Sequence, residues 1–205
     1  MRFSIIIPAY NSSEYIIKGL DSIKNQSFTD YELIVICDSC IDNTESIAKS
    51  YGAITRAVQF HKEGLTKNIG LDIAKGEYIL FMDDDDWFLH EFVLEMLDAK
   101  LREEDDPDIL CFSFIFKGVG YAKPKRSCGE YWIATWNKAW KREIIGDTRF
   151  PNIFSVSDSY FQRDMGNKKA RTVMWDMPLY YYNYLRESSI SQKCGNTYKS
   201  TKKWI

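Results

Sequence analysis

The feature that most constrains the fold is an alternation in the first half of the chain. Short apolar runs, "FSIIIP" from Phe3, "YELIVICD" from Tyr31, "ITRAVQF" from Ile54 and "EYILFM" from Glu77, are separated by stretches whose apolar residues recur at helical spacing. Ile16, Ile17, Leu20 and Ile23 predict a helix over about Ser13 to Asn25, and "DNTESIAKSY" predicts a second capped near Asp42 or Asn43. Leu65, Ile69 and Ile73 predict a third that stops at Gly76. Strands joined by crossover helices make a parallel sheet covered on both faces, and in such sheets ligands bind beyond the carboxyl ends of the strands. Three of those ends carry polar residues: Tyr10 with Asn11, Asp38, and the run Asp83 to Asp86.

Beyond Trp87 the pattern changes. Phe88, Phe92, Val93, Met96, Leu97 and Leu101 predict an amphipathic helix beginning at Trp87, followed by the turn "REEDDPD", read as a solvated loop, and a strand "ILCFSFIF". The segment Gly118 to Glu130 reads as a loop, "ATWNKAWKREII" as a helix, and "RTVMW" and "PLYYYNYL" as strands, with Tyr180 to Tyr182 simply packed. The second half is therefore mixed. With 205 residues and 45% hydrophobic content, the chain suffices for one domain: a half over 1–86, a second over 87–191 and a basic tail over 192–205.

A net charge of -2 gives no global attraction to nucleic acid or anionic membrane. No run approaches the roughly 20 apolar residues of a membrane span, and the apolar run at the start is too short for a signal peptide. The five cysteines are odd in number, and Cys37 with Cys40 forms a lone C-x-x-C, short of the four ligands of a structural zinc site. These features predict a reduced, cytoplasmic protein, at the inner membrane surface only if its substrate is lipid-linked.

"FMDDDDWFL", Phe81 to Leu89, sets four acids in a row. Two like charges 4 Å apart repel by about 4 kcal/mol at an effective dielectric near 20, so the run needs solvent or a cation. One reading is a solvated turn with Asp86 capping a helix at Trp87. The other is a hard-oxygen site for Mg²⁺ or Mn²⁺, which often bind one or two carboxylates plus substrate phosphates.

The ordered series "SIIIPAYNSSEYI", "ELIVICDSCIDNT", "GLTKNIGLDIAKGEYILFMDDDDW", "TWNKAWKREII" and "SDSYF" resembles glycosyltransferase family 2, from Ser4 to about Ser191. The resemblance implies an α/β GT-A fold: a Rossmann-like, mostly parallel central sheet flanked by helices, with a mixed α+β acceptor-side C-terminal half. It implies an inverting, metal-dependent transferase that moves a sugar from a nucleotide diphosphate, most often UDP, to an acceptor hydroxyl in glycan biosynthesis. By the same resemblance Pro8, Ala9, Tyr10 and Asn11 hold the nucleotide, although "PAYN" alone also fits a strand-ending turn. Asp38 would bond the base or ribose, and Lys67 would lie near the base or phosphates or else be a solvated helix lysine. Asp85 would ligate Mn²⁺ or Mg²⁺ with Asp83, which also approaches the ribose, supported by Asp84. Asp86 remains a cap for a helix at Trp87.

Asp158 would be the general base, taking the acceptor proton as the hydroxyl attacks from the face opposite the leaving group; a helix cap is the plainer role. Trp136, Asn137 and Lys138, with Trp132, lie where the family builds its acceptor side, and Arg186 in "RESSIS" would approach the diphosphate. Two positions depart from the family pattern: Cys37 and Ser157 stand where acids are usual. They leave open a nucleotide-sugar-binding protein without transferase activity. The expected partners are a UDP-sugar and a glycan or lipid-linked acceptor, with a modified nucleic acid as an unusual alternative. A nucleotidyltransferase is disfavoured because no Gly-rich phosphate loop follows the first strand.

Overall fold

The computed structural model describes residues 1–118, 120–123, 134–154 and 157–183. In chain order the elements are β1 (Phe3–Ala9), α1 (Ile16–Lys24), β2 (Tyr31–Asp38), α2 (Thr44–Ser50), β3 (Ile54–Val58), α3 (Glu63–Ile73), β4 (Tyr78–Phe81) and β5 (Trp87–Phe88). They continue with α4 (Val93–Glu103), β6 (Ile109–Phe116), β7 (Gly120–Ala122), β8 (Lys138–Lys141), α5 (Arg142–Ile145), α6 (Ser157–Asn167) and β9 (Thr172–Tyr182). Among the described residues the strands form one sheet in the order β3-β2-β1-β4-β8-β6-β9-β5, with β7 paired to β6.

β1 pairs in parallel with β2 and β4, and β2 with β3, as the alternation of runs predicts. β1 is buried along its whole length. Phe3, Ile5, Ile7 and Ala9 join the core beneath α1 and α4, while Ile6 faces the opposite core with Leu71 of α3 and Phe161 of α6. Two covered faces make its sequence a continuous apolar run.

In the second half, pairing overrides local pattern. "ATWNKAWKREII", expected as a helix, instead supplies β8, antiparallel to both β4 and β6, and only the one-turn helix α5. β8 fills the gap between two strands whose backbone groups would otherwise be buried without partners, a gain that helix propensity does not match. "RTVMW" and "PLYYYNYL" form one strand, β9, whose register against β6 shifts around Ser113 at Pro178. Proline has no amide to donate, and a bulge accommodates it.

The expected helix at Trp87 begins at Val93 instead, because Trp87 and Phe88 pair with Tyr181 and Tyr180 of β9. Trp87 stacks on Tyr181 at 4.2 Å, with the Lys18 ammonium 3.4 Å above its ring. Nor is "REEDDPD" merely solvated: Asp106 bonds the buried Arg2 guanidinium at 2.5 Å, alongside Glu77 and Asp98 at 2.7 Å each. Among the described residues no helix is long and apolar enough to cross a membrane.

Candidate active site

The polar strand ends meet at one edge of the sheet. β1 ends in the buried Pro8 and Ala9, after which Tyr10 is exposed. Asn11 takes a left-handed backbone (φ 46°), and its Oδ1 accepts from the amide of Ile41 at 2.9 Å. The Ser12 amide donates to Thr44 Oγ1 at 2.7 Å and that of Ser13 to Asp42 at 3.0 Å, joining this loop to the start of α2. Asp84 then ties the loop to the acidic run by accepting from the Tyr10 amide at 3.2 Å and from the Ser12 hydroxyl.

Asp38, at the end of β2, is buried and heavily bonded. Its Oδ1 accepts from the amides of Phe60 at 2.7 Å and His61 at 3.0 Å and from the Ser39 hydroxyl at 3.0 Å. Its Oδ2 accepts from the Lys62 amide at 3.0 Å and Thr66 Oγ1 at 2.9 Å. Burial pushes its carboxyl up, but the amides of His61, Phe60 and Lys62 outweigh it and hold it below the ordinary range. A carboxylate offers about four lone-pair positions, so this one is filled by the loop that starts α3. That loop places His61 edge-on to Tyr10, with ring centroids 6.1 Å apart.

Beyond β4 the four acids separate. Asp83, Asp84 and Asp85 are half-buried, whereas Asp86 is fully buried. Asp86 accepts from the Tyr180 hydroxyl and from the Asn183 amide at 2.7 Å each, and it caps no helix. A carboxylate drawn inward by β9 cannot also serve a helix start on the surface. The Tyr180 hydroxyl accepts from the Asp83 amide at 3.1 Å, so one tyrosine braces both ends of the run. α1 comes close at Gly19, where a Cβ would lie 2.7 Å from the Asp86 carbonyl oxygen.

Lys67 and Asp158 complete the site. Lys67, fully buried on α3, is not a solvated helix lysine: its Nζ lies 2.5 Å from Glu63, 2.9 Å from Asp158 Oδ1 and 3.2 Å from Thr135 Oγ1. Burial lowers its affinity for a proton, but Asp158, Glu63 and Asp83 more than reverse this and raise its pKa. Asp158, in the first turn of α6, accepts at Oδ2 from the Thr135 amide at 3.1 Å and hydroxyl at 3.0 Å. α3 and α6 approach at Gly64, where a Cβ would lie 2.9 Å from Phe150 Cβ and 3.0 Å from Ser157 Cβ. A glycine there lets the lysine of one helix reach the aspartate of the other.

The site is thus rich in negative charge. Burial, with Glu63, Asp85 and Asp158 nearby and only partly offset by Lys67, drives the Asp83 carboxyl well above the usual range. A divalent cation would relieve that repulsion, and an all-oxygen donor set suits Mg²⁺ or Mn²⁺. Among the described residues no three His, Cys, Asp or Glu side chains are grouped to hold an ion alone.

Of the expected acceptor residues, Trp136, Asn137 and Lys138 are buried. Trp136 stacks on Tyr180 at 4.9 Å and Tyr182 at 4.8 Å, and Lys138 bonds the Ala134 carbonyl oxygen at 2.6 Å and Asn137 at 2.8 Å. Trp136 and Asn137 lead into β8 and Lys138 opens it, so among the described residues the three sit in the core rather than on an acceptor surface. Arg186, Trp132, the tail and most of the Gly118 to Glu130 loop lie outside the described residues. Cys37 is buried on β2 opposite Ala9, and the hydrogen bond its thiol donates to Cys40, followed by burial, pushes that thiol up. Glu63 and Thr135 are not among the expected site residues, and Tyr180, expected simply to pack, also bonds both ends of the acidic run. Glu63 was recoverable from its i,i+4 spacing to Lys67, whereas Thr135 and Tyr180 arrive from remote strands and loops.

Residues 4–167 match the family model for glycosyl transferase family 2, and the chain belongs to that family. It is 35% identical over 132 residues to the Staphylococcus aureus poly(ribitol-phosphate) beta-N-acetylglucosaminyltransferase TarP, covering 60% of this chain and 40% of TarP. To the putative glycosyltransferase EpsH of Bacillus subtilis it is 29% identical over 218 residues, 93% of this chain and 62% of that one. The structure of S. aureus TarS 1–349 in complex with UDP-GlcNAc superposes with a TM-score of 0.77 at 26% identity, covering 89% of this chain and 58% of that chain. The fold is that of the GT-A glycosyltransferases. The chain spans less than two thirds of the length of these relatives.

Proposed function

We propose that this chain transfers a glycosyl group from a UDP-sugar to an acceptor hydroxyl with inversion at the anomeric carbon. The observation that carries the proposal is the convergence of Tyr10, the Asp83 to Asp85 run and, through Lys67, Asp158 at the carboxyl ends of the strands. Tyr10 offers an exposed ring to the base, with His61 beside it. Asp38 contributes by ordering the loop that carries His61 rather than by bonding the base itself. A divalent metal, held by Asp85 and Asp83 together with diphosphate oxygens, would supply Lewis-acid stabilisation of the leaving group. Asp158 accepts the acceptor proton while the hydroxyl oxygen bonds the anomeric carbon, and the bond to the diphosphate breaks with its electron pair.

TarP and TarS are named as transferases to poly(ribitol-phosphate), so a polyol-phosphate polymer joins glycans and lipid-linked sugars as an acceptor to test. The test is a panel of UDP-sugars, with and without Mn²⁺, assayed for transfer and for donor hydrolysis. Metal-dependent release of UDP and a product of inverted configuration are expected, and Asp158→Asn should lose turnover while still binding donor. Donor binding without turnover for any acceptor would support the nucleotide-sugar-binding alternative, and normal turnover by Asp158→Asn would overturn the assignment of the base.

A further inference from the structure

We propose that Lys67 is a positioning residue that selects which oxygen of Asp158 receives the acceptor proton; the inference rests on the transferase reading above. Each carboxylate oxygen accepts about two hydrogen bonds. Oδ2 of Asp158 is filled by the amide and hydroxyl of Thr135, at 3.1 Å and 3.0 Å. Among the described residues Oδ1 receives the Lys67 ammonium alone, at 2.9 Å, which leaves one acceptor position on that oxygen. The acceptor hydroxyl therefore gives its proton to Oδ1, as its oxygen bonds the anomeric carbon and the diphosphate leaves with the electron pair.

The lysine is well suited to that task. Its side chain is fully buried, and Glu63 and Thr135 Oγ1 hold Nζ from other directions, at 2.5 Å and 3.2 Å. The rings of Phe81 and Phe150 flank the ammonium, with centroids 5.7 Å and 5.3 Å away. Thr135 closes a triangle, because its hydroxyl accepts from Lys67 and donates to Asp158. A carboxylate held at three points cannot turn its filled oxygen toward the substrate. This arrangement also separates two roles for Lys67, since an ammonium committed to Asp158 and Glu63 serves the base rather than the nucleotide.

The experiment compares Lys67→Met and Lys67→Arg with the unaltered protein. It measures kcat and KM for a UDP-sugar with Mn²⁺, and donor Kd by calorimetry. Lys67→Met should lower kcat by about 100-fold, the scale of loss from a misplaced catalytic group, while Kd for UDP changes by less than about threefold. Lys67→Arg, which keeps the charge, should restore kcat to within about tenfold of the starting value. A Lys67→Met protein that turns over normally, or that loses UDP affinity as steeply as kcat, overturns the inference, as does an arginine variant no better than methionine. If Lys67→Met does not fold, Thr135→Ala removes one donor from Oδ2. A kcat reduced about fivefold or more at unchanged Kd supports the assignment, and an unchanged kcat refutes it. Failure of the unaltered protein to turn over any UDP-sugar would instead count against the transferase reading.

Discussion

Replacing Tyr180 by Phe removes one oxygen atom and tests whether β9 holds the acidic run in place. The ring would stay where it is, stacked on Trp136 at 4.9 Å, so little apolar burial is lost. Two hydrogen bonds go: the one donated to Asp86 at 2.7 Å and the one accepted from the Asp83 amide at 3.1 Å. Burial, with Asp83 and Asp85 nearby, drives the Asp86 carboxyl well above the usual range, so both bonds count as neutral ones, worth about 0.5–1.5 kcal/mol each. The expected destabilisation is therefore about 1–3 kcal/mol, a large share of the roughly 5–15 kcal/mol that holds a domain folded. Urea unfolding should show a lower midpoint with an unchanged slope, since the surface exposed on unfolding is the same. Calorimetry with UDP and Mn²⁺ should show weaker binding, because Asp83 loses the contact that fixes its backbone. A double-mutant cycle with Asp86→Asn isolates the pair, and a coupling near zero would refute the bracing role. So would a Tyr180→Phe protein within about 0.5 kcal/mol of the original, the range of an ordinary surface substitution.

At Gly64, an Ala side chain must displace Phe150 or Ser157, so Gly64→Ala should cost about 1–3 kcal/mol in thermal or urea unfolding and lower kcat by separating Lys67 from Asp158. Burial lowers the pKa of Lys138 to about 8 from 10.5. Below pH 8 both the folded and unfolded states carry the proton, and between about 8 and 10.5 the unfolded state binds more, so this lysine's contribution to stability rises with pH in that window. The rise amounts to about 3 kcal/mol, and it should appear as a difference in slope between the original protein and Lys138→Met in unfolding measured across that range.

Local sequence pattern is enough to specify the frame of the site. The apolar runs of β1, β2 and β4, with their intervening helices, are local patterns, and a parallel sheet built from them must bring Tyr10, Asp38 and Asp83 to one edge. What each group does there depends on contacts made only in the folded chain. Asp86 could not be known as a buried partner of Tyr180, because the two are 94 residues apart and nothing near either one announces the other. "ATWNKAWKREII" has a helical pattern, yet it becomes the strand between β4 and β6, and Trp136 and Lys138 turn inward with it. Asp38 and Lys67 are committed to protein groups by loops and helices that meet only in the folded chain. Periodicity records which face of an element is buried, whereas the partner of a buried charge is fixed by the packing of elements remote in sequence.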